Sequence, residues 1–139
     1  MPKSTTASIA EDFVHSYFKR YKRVELIRVP KGELGYDFRD SESKLFVEVK
    51  GTTAKDLAKV LFRYFTNTEY EKARLCRKNK QRYEIHLIVG IGTAQPEHYV
   101  IPGEELLQKG RPEVSWFLPI TKEFRTYKLD KEALKRAAS

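Results

Sequence analysis

Residues 35–52 read G-Y-D-F-R-D-S-E-S-K-L-F-V-E-V-K-G-T, and the architecture follows from their pattern. Two extended runs, 35–40 and 44–50, flank the turn Ser41-Glu42-Ser43, so the segment predicts a β-hairpin stopped by Gly51. On a strand, residues two apart share a face. Phe46, Glu48 and Lys50 therefore lie on one face, and Leu45, Val47 and Val49 on the other. The apolar triplet is a natural core face. The opposite face then carries a carboxylate and an ammonium about 6.6 Å apart along the strand. Asp37, on the neighbouring strand, is within reach of both.

On the N-terminal side, Ser8 and Glu11 have capping-box spacing and predict a helix over Ile9–Tyr21. Its apolar stripe runs through Ile9, Phe13, Val14, Tyr17, Phe18 and Tyr21, with Glu11 at the stripe's edge and Asp12 turned to solvent. V-E-L-I-R-V, 24–29, alternates as a strand. Downstream, 52–58 stay open between loop and short helix, and 59–65 read as a strand with a helical alternative. Thr66 and Glu69 repeat the capping-box spacing and open a helix over 67–80, placing Glu69, Ala73 and Cys76 on one face. A long central strand is expected at 83–92 and another at 98–101. A short helix over Gly103–Gln108, strands at 115–119 and 124–129, and a final helix capped by Asp130 complete the chain. The expected fold is α/β, a mixed central β-sheet flanked by helices. It reads as a single domain over 1–139, with its core in 8–90 and the elements of 97–137 packed on it.

Composition narrows the partners. The chain has 139 residues and a formal net charge of +8, from 27 basic against 19 acidic residues. That excess favours a polyanion such as nucleic acid, or an anionic membrane surface, over an acidic partner. A basic but otherwise ordinary soluble protein is the bland alternative. The single cysteine, Cys76, excludes a disulfide within the chain and a cysteine-built zinc site, and suits a reducing compartment. No apolar run approaches the roughly 20 residues of a membrane span. M-P-K-S-T-T-A-S-I-A-E-D lacks an apolar signal core, so the expectation is a cytoplasmic protein with no membrane partner.

Glu-x-Lys on a strand is by itself a weak signal, because such pairs are common on solvated faces. Asp37 on the preceding strand, the hydrophobic run before Glu48 and the glycine after Lys50 strengthen it. Phosphodiester hydrolysis needs a hard cation with oxygen ligands. Such a cation neutralises charge at phosphorus and acidifies water, and a lysine beside it orients the nucleophile or stabilises the transition state. Asp37, Glu48 and Lys50 are a minimal kit for that chemistry, and the backbone carbonyl of Val49 offers a further metal ligand.

Asp37 followed on the next strand by Glu48-Val49-Lys50 resembles the PD-(D/E)XK, or restriction-endonuclease-like, superfamily. More closely, G-Y-D-F-R and F-V-E-V-K-G-T followed by T-N-T-E-Y-E-K-A resemble the subgroup that includes the C-terminal domain of the plant protein NO VEIN and related domains of prokaryotic defence proteins. The similarity covers roughly residues 8–90. The resemblance implies that Asp37 and Glu48 bind metal and that Lys50 is the catalytic lysine. It implies a metal role for Glu11 on the first helix, an accessory acid in Glu69, and a phosphate contact for Thr52. The implied cofactor is Mg²⁺, with Mn²⁺ as a substitute. Tyr36 stands where the named motif has proline, a position that varies in the superfamily. Some members of this fold only bind.

Lys72, Arg74, Arg77, Lys78, Lys80 and Arg82 form a dense basic stretch, read as a nucleic-acid-binding face in preference to a merely solvated one. Lys19, Arg20, Lys22 and Arg23 form a second cluster. His15, His86 and His98 lack metal-ligand spacing, and Cys76 has no evident partner for nucleophilic work. Phe62, Tyr64, Phe65 and Trp116 read as core, and Gly90-Ile91-Gly92 is no dinucleotide fingerprint. The expected function is metal-dependent endonucleolytic hydrolysis of nucleic acid, DNA before RNA, with a homodimer as the simplest way to cut two strands. The rivals are an inactive nucleic-acid-binding module of the same fold and a protein-interaction domain.

Overall fold

The structure is a computed structural model and describes residues 5–30, 34–57, 62–112 and 116–138. Its elements in chain order are α1 (Thr5–Tyr17), β1 (Ile27–Arg28), β2 (Phe38–Arg39), β3 (Leu45–Thr52), β4 (Phe62–Phe65), α2 (Asn67–Lys78), β5 (Arg82–Val89), β6 (Glu97–Pro102), α3 (Gly103–Lys109), β7 (Arg111–Pro112), β8 (Trp116–Pro119) and α4 (Lys131–Ala138). A five-stranded sheet in the order β1-β2-β3-β5-β6 holds the centre, and β4-β8-β7 form a smaller sheet. β3 and β5 run parallel, with α2 in the crossover between them, and the other neighbours in the large sheet are antiparallel.

The hairpin expected from 35–52 is present. Phe38 pairs with Val47 and Arg39 with Phe46. Asp40 fastens the turn by accepting the backbone N–H groups of Lys44 and Leu45 at 2.8 and 3.1 Å. β3 does not stop at Gly51 but runs through it. A side chain there would lie 2.7 Å from both Ala10 Cβ and Ile91 Cδ1, so the missing Cβ lets α1 settle on the strand.

Both faces of the central sheet are covered. Val47, Val49 and Ile88 pack with Ala10, Val14 and Phe18 under α1. Phe46, Ile85 and Leu87 pack with Ala73 and Cys76 of α2, and with Phe65 and Leu118 of the smaller sheet. The face that carries Glu48 and Lys50 is therefore a second interior.

Several boundaries differ from the sequence reading. α1 starts at Thr5, which puts Ser8 inside the helix, and Glu11 pairs with Arg28. Its C-terminal end widens into a π-helical turn over Phe18–Lys22 that closes at Arg23 in the left-handed region, φ 58°. The strand expected at 24–29 shrinks to Ile27–Arg28, both exposed. The strand expected at 124–129 is instead part of a 3₁₀ turn, Lys122–Tyr127. Phe124 is buried and Tyr127, three residues on, packs against the same core, a spacing that suits three residues per turn. The start of the strand expected at 59–65, and residue 115, lie outside the described residues. No helix among the described residues is long and apolar enough to cross a membrane.

Candidate active site

β3 brings the acid and the lysine together by alternation, and its neighbours decide their electrostatics. Glu48 stands beside Ile85 and Lys50 beside Leu87 on the same face. Glu48 is only 4% exposed. The Lys50 ammonium lies 3.3 Å from Glu48 Oε2 and 3.2 Å from Glu69 Oε1, and 4.7 Å from the centre of the Phe65 ring. Glu69 reaches it from the first turn of α2. There Glu69 and Thr66 form the reciprocal capping box expected from their spacing.

Asp37 arrives from the other hairpin strand, just before β2. Its backbone N–H donates to the Val47 carbonyl at 2.8 Å, and its Oδ2 accepts the Val49 N–H, also at 2.8 Å. The N–H and C=O of one strand residue point to the same edge. The Val49 carbonyl therefore faces the edge where Asp37 sits, turned away from β5. Asp37 is partly exposed, whereas Glu48 is buried.

Burial pushes the Glu48 carboxyl well above the usual range; the Lys50 charge opposes this, and Asp37 and Glu69 add to it. Burial also raises Asp37, against the pull of the Val49 N–H; Glu11 raises it further and Lys50 lowers it. For Lys50, burial alone would lower the pKa, but Glu48 and Glu69 outweigh burial and raise it. Lys50 is thus held as an ammonium, a hydrogen-bond donor rather than a base.

Glu11 approaches from α1, on the opposite side of the sheet. It is 5% exposed, its partner Arg28 comes from β1, and its charge is felt by Asp37. Asp12 is exposed, as its helical position predicts. The Thr52 hydroxyl accepts the Ala54 N–H at 3.1 Å, so it shapes the exit of β3. Among the described residues no three carboxylate, imidazole or thiol side chains form a ready ligand cluster. The donors that do converge, two carboxylates and a carbonyl, are all oxygen. They suit a hard divalent cation.

The basic stretch on α2 divides. Lys72 lies 3.9 Å from the centre of the Phe46 ring and 5.1 Å from that of Tyr36, at the margin of the site. Arg74 is held by Glu71 and Arg82 by Glu84. Arg77, Lys78 and Lys80 are exposed. Phe65 is core, as expected, and Cys76 is buried, its thiol pushed up by burial. Nothing is described of the side chains of Phe62, Tyr64 and Trp116. His86 is fully buried against α1 and joins a Glu84–His86–His98 chain on the face away from Lys50.

Two neighbours of the site escaped the sequence reading. Arg28 and Tyr83, whose hydroxyl bonds the Gly35 carbonyl, were each legible only as one residue of a strand. No periodicity marks either contact.

Among curated protein sequences none matches the chain significantly. Among solved structures, the chain is similar to Hjc, a Holliday junction resolvase from the archaeal hyperthermophile Archaeoglobus fulgidus. The TM-score is 0.56 at 18% identity, over 95% of this chain and 97% of that one, a likeness of fold. Residues 10–101 match the family described as Protein NO VEIN, C-terminal. With more than half of its length matched and this site at the centre of a mixed sheet, the chain belongs to the NO VEIN C-terminal family and has a restriction-endonuclease-like fold.

Proposed function

We propose that the protein is a metal-dependent endonuclease that hydrolyses phosphodiester bonds in DNA. The observation that carries this reading is the Asp37 carboxylate hydrogen-bonded to the backbone between Glu48 and Lys50. It links the partly exposed Asp37 to the strand that carries buried Glu48, the Val49 carbonyl and the protonated Lys50. The nuclease-like fold and the net charge of +8 support it.

Asp37, Glu48 and the Val49 carbonyl would hold Mg²⁺, or Mn²⁺ in its place, with Glu11 acting through water. When bound, the cation supplies charge neutralisation at the phosphate and makes water more acidic. Glu69 keeps Lys50 charged and aimed, and Lys50 directs the attacking water and stabilises negative charge on the phosphoryl oxygens. Lys72 and the exposed Arg77, Lys78 and Lys80 seat the backbone of the substrate. Arg74 and Arg82, tied to acids, contribute less. Cleavage of both strands would bring two copies of the chain together.

The test is a substrate panel of duplex, single-stranded and four-way-branched DNA, and RNA, each with Mg²⁺, Mn²⁺ or EDTA. Metal-dependent cleavage of DNA supports the proposal and identifies the structure preferred. Salt-sensitive binding with no cleavage under any metal favours an inactive binding module of the same fold.

A further inference from the structure

Tyr83 is 4% exposed and sits at the start of β5, beside Phe46 of β3. Its hydroxyl donates to the Gly35 carbonyl at 2.8 Å, across 48 residues of chain. A buried phenol left without an acceptor is costly, so this bond fixes both partners. Burial, with the nearby charges of Glu48, Glu69 and Asp37, raises the Tyr83 pKa, so the hydroxyl keeps its proton.

Gly35 is pressed from the other side. It adopts φ +83°, and a Cβ there would lie 2.5 Å from the Thr68 carbonyl oxygen and 3.1 Å from Lys72 Cβ. The backbone two residues before Asp37 is thus gripped between the first turn of α2 and the Tyr83 hydroxyl. Beyond Gly35, the Tyr36 ring packs edge-on to Phe46, with centroids 4.8 Å apart. β2 pairs through only two residues, Phe38 and Arg39, and Asp37 just before it is tied by its N–H to the Val47 carbonyl and by its carbonyl to the Val29 N–H, so the next anchor upstream is Gly35.

We propose that Tyr83 is a positioning residue for Asp37, acting through the Gly35 carbonyl to hold the carboxylate on the Val49 N–H. This rests on the nuclease reading for its catalytic meaning, but the positional claim can be read without turnover.

The experiment compares the wild-type chain with Tyr83→Phe, and with Tyr99→Phe as a control. Tyr99 is fully buried and its hydroxyl donates to Glu97, in the same core but away from Asp37. Two quantities are measured: hydrogen exchange of the Val49 amide by NMR, and Mn²⁺ affinity by titration with paramagnetic detection. The expected result for Tyr83→Phe is faster Val49 exchange relative to neighbouring β3 amides and Mn²⁺ affinity weakened about tenfold or more. Tyr99→Phe should leave both unchanged even where its melting temperature falls as far. Val49 exchange in Tyr83→Phe equal to wild type, or accelerated as much in Tyr99→Phe, overturns the positioning claim. If the wild type binds no Mn²⁺ while Val49 exchange responds to Tyr83→Phe alone, the positioning stands and the metal reading falls.

Discussion

Glu69 Oε1 accepts the Lys50 ammonium at 3.2 Å, and the same oxygen closes the α2 capping box by accepting the Thr66 N–H at 3.0 Å. One carboxylate thus starts a helix and holds the lysine of the site. The two roles separate by substitution. A glutamine at this position keeps a capping box but removes the charge facing Lys50. Glu69→Gln should melt near wild type yet cleave DNA about tenfold more slowly. Glu69→Ala should in addition lose about 1 kcal/mol of stability with the cap. Melting curves and single-turnover rates on the same preparations check this, and equal melting losses in the two variants would count against it.

Lys50 is also the counter-charge of a buried acid. Its removal leaves Glu48 facing Asp37 and Glu69 alone, which pushes a carboxyl already raised by burial still higher. A carboxyl raised in the folded state contributes stability below its unfolded pKa of roughly 4.3 and loses it as pH rises through the folded value. Lys50→Met should therefore be destabilised by about 3 kcal/mol at pH 8, the loss shrinking towards pH 5. Denaturant titrations at both pH values measure it. A loss that does not change with pH would show that Glu48 is not the group relieved.

On the other face of the sheet, Glu84, His86 and His98 form a buried chain. His86 Nε2 lies 3.0 Å from Glu84, and His86 Nδ1 lies 2.8 Å from His98 Nε2. Burial lowers His98 well below the usual histidine range, and the charges of His86 and Lys131 lower it further. Burial likewise lowers His86, although the Glu84 carboxylate opposes it. Histidines lowered in the folded state favour folding above an unfolded pKa of about 6.5, and that contribution disappears as pH falls through the folded value. Stability should decline on acidification below about pH 6.5, and His98→Gln should flatten the decline. Denaturation midpoints between pH 7.5 and 5 test this, an unchanged slope in the variant being the contrary result.

Gly51 gives a purely steric prediction. With Ala10 Cβ and Ile91 Cδ1 each 2.7 Å from where its Cβ would be, Gly51→Val should force α1 off β3. The expected loss is about 1–3 kcal/mol. Because α1 also carries Glu11, Mn²⁺ affinity should fall with it, whereas an overpacking site remote from α1 would cost stability alone.

The hairpin, the shared face of Glu48 and Lys50 and the capping box of α2 were legible because each rests on local periodicity or local spacing. Glu11 turned to the core edge for the same reason. The sequence did not show that the Glu48 face is a second interior, because that follows from α2 crossing over between two parallel strands. Nor did it show the 3₁₀ turn at Lys122–Tyr127, where buried Phe124 overrode a strand-like composition. The Arg28–Glu11 pair and the Tyr83–Gly35 bond join residues far apart in the chain and leave no local signature.

Asp37 and Lys50 are proposed to form one metal-dependent hydrolytic site. Its most direct measurement is DNA cleavage by wild type, Asp37→Asn and Lys50→Ala, each verified as folded, with Mg²⁺ and with EDTA. Wild type should cleave in Mg²⁺ only, and cleavage should fall at least about a hundredfold in both variants. Cleavage that persists in EDTA, or in either folded variant, would contradict it.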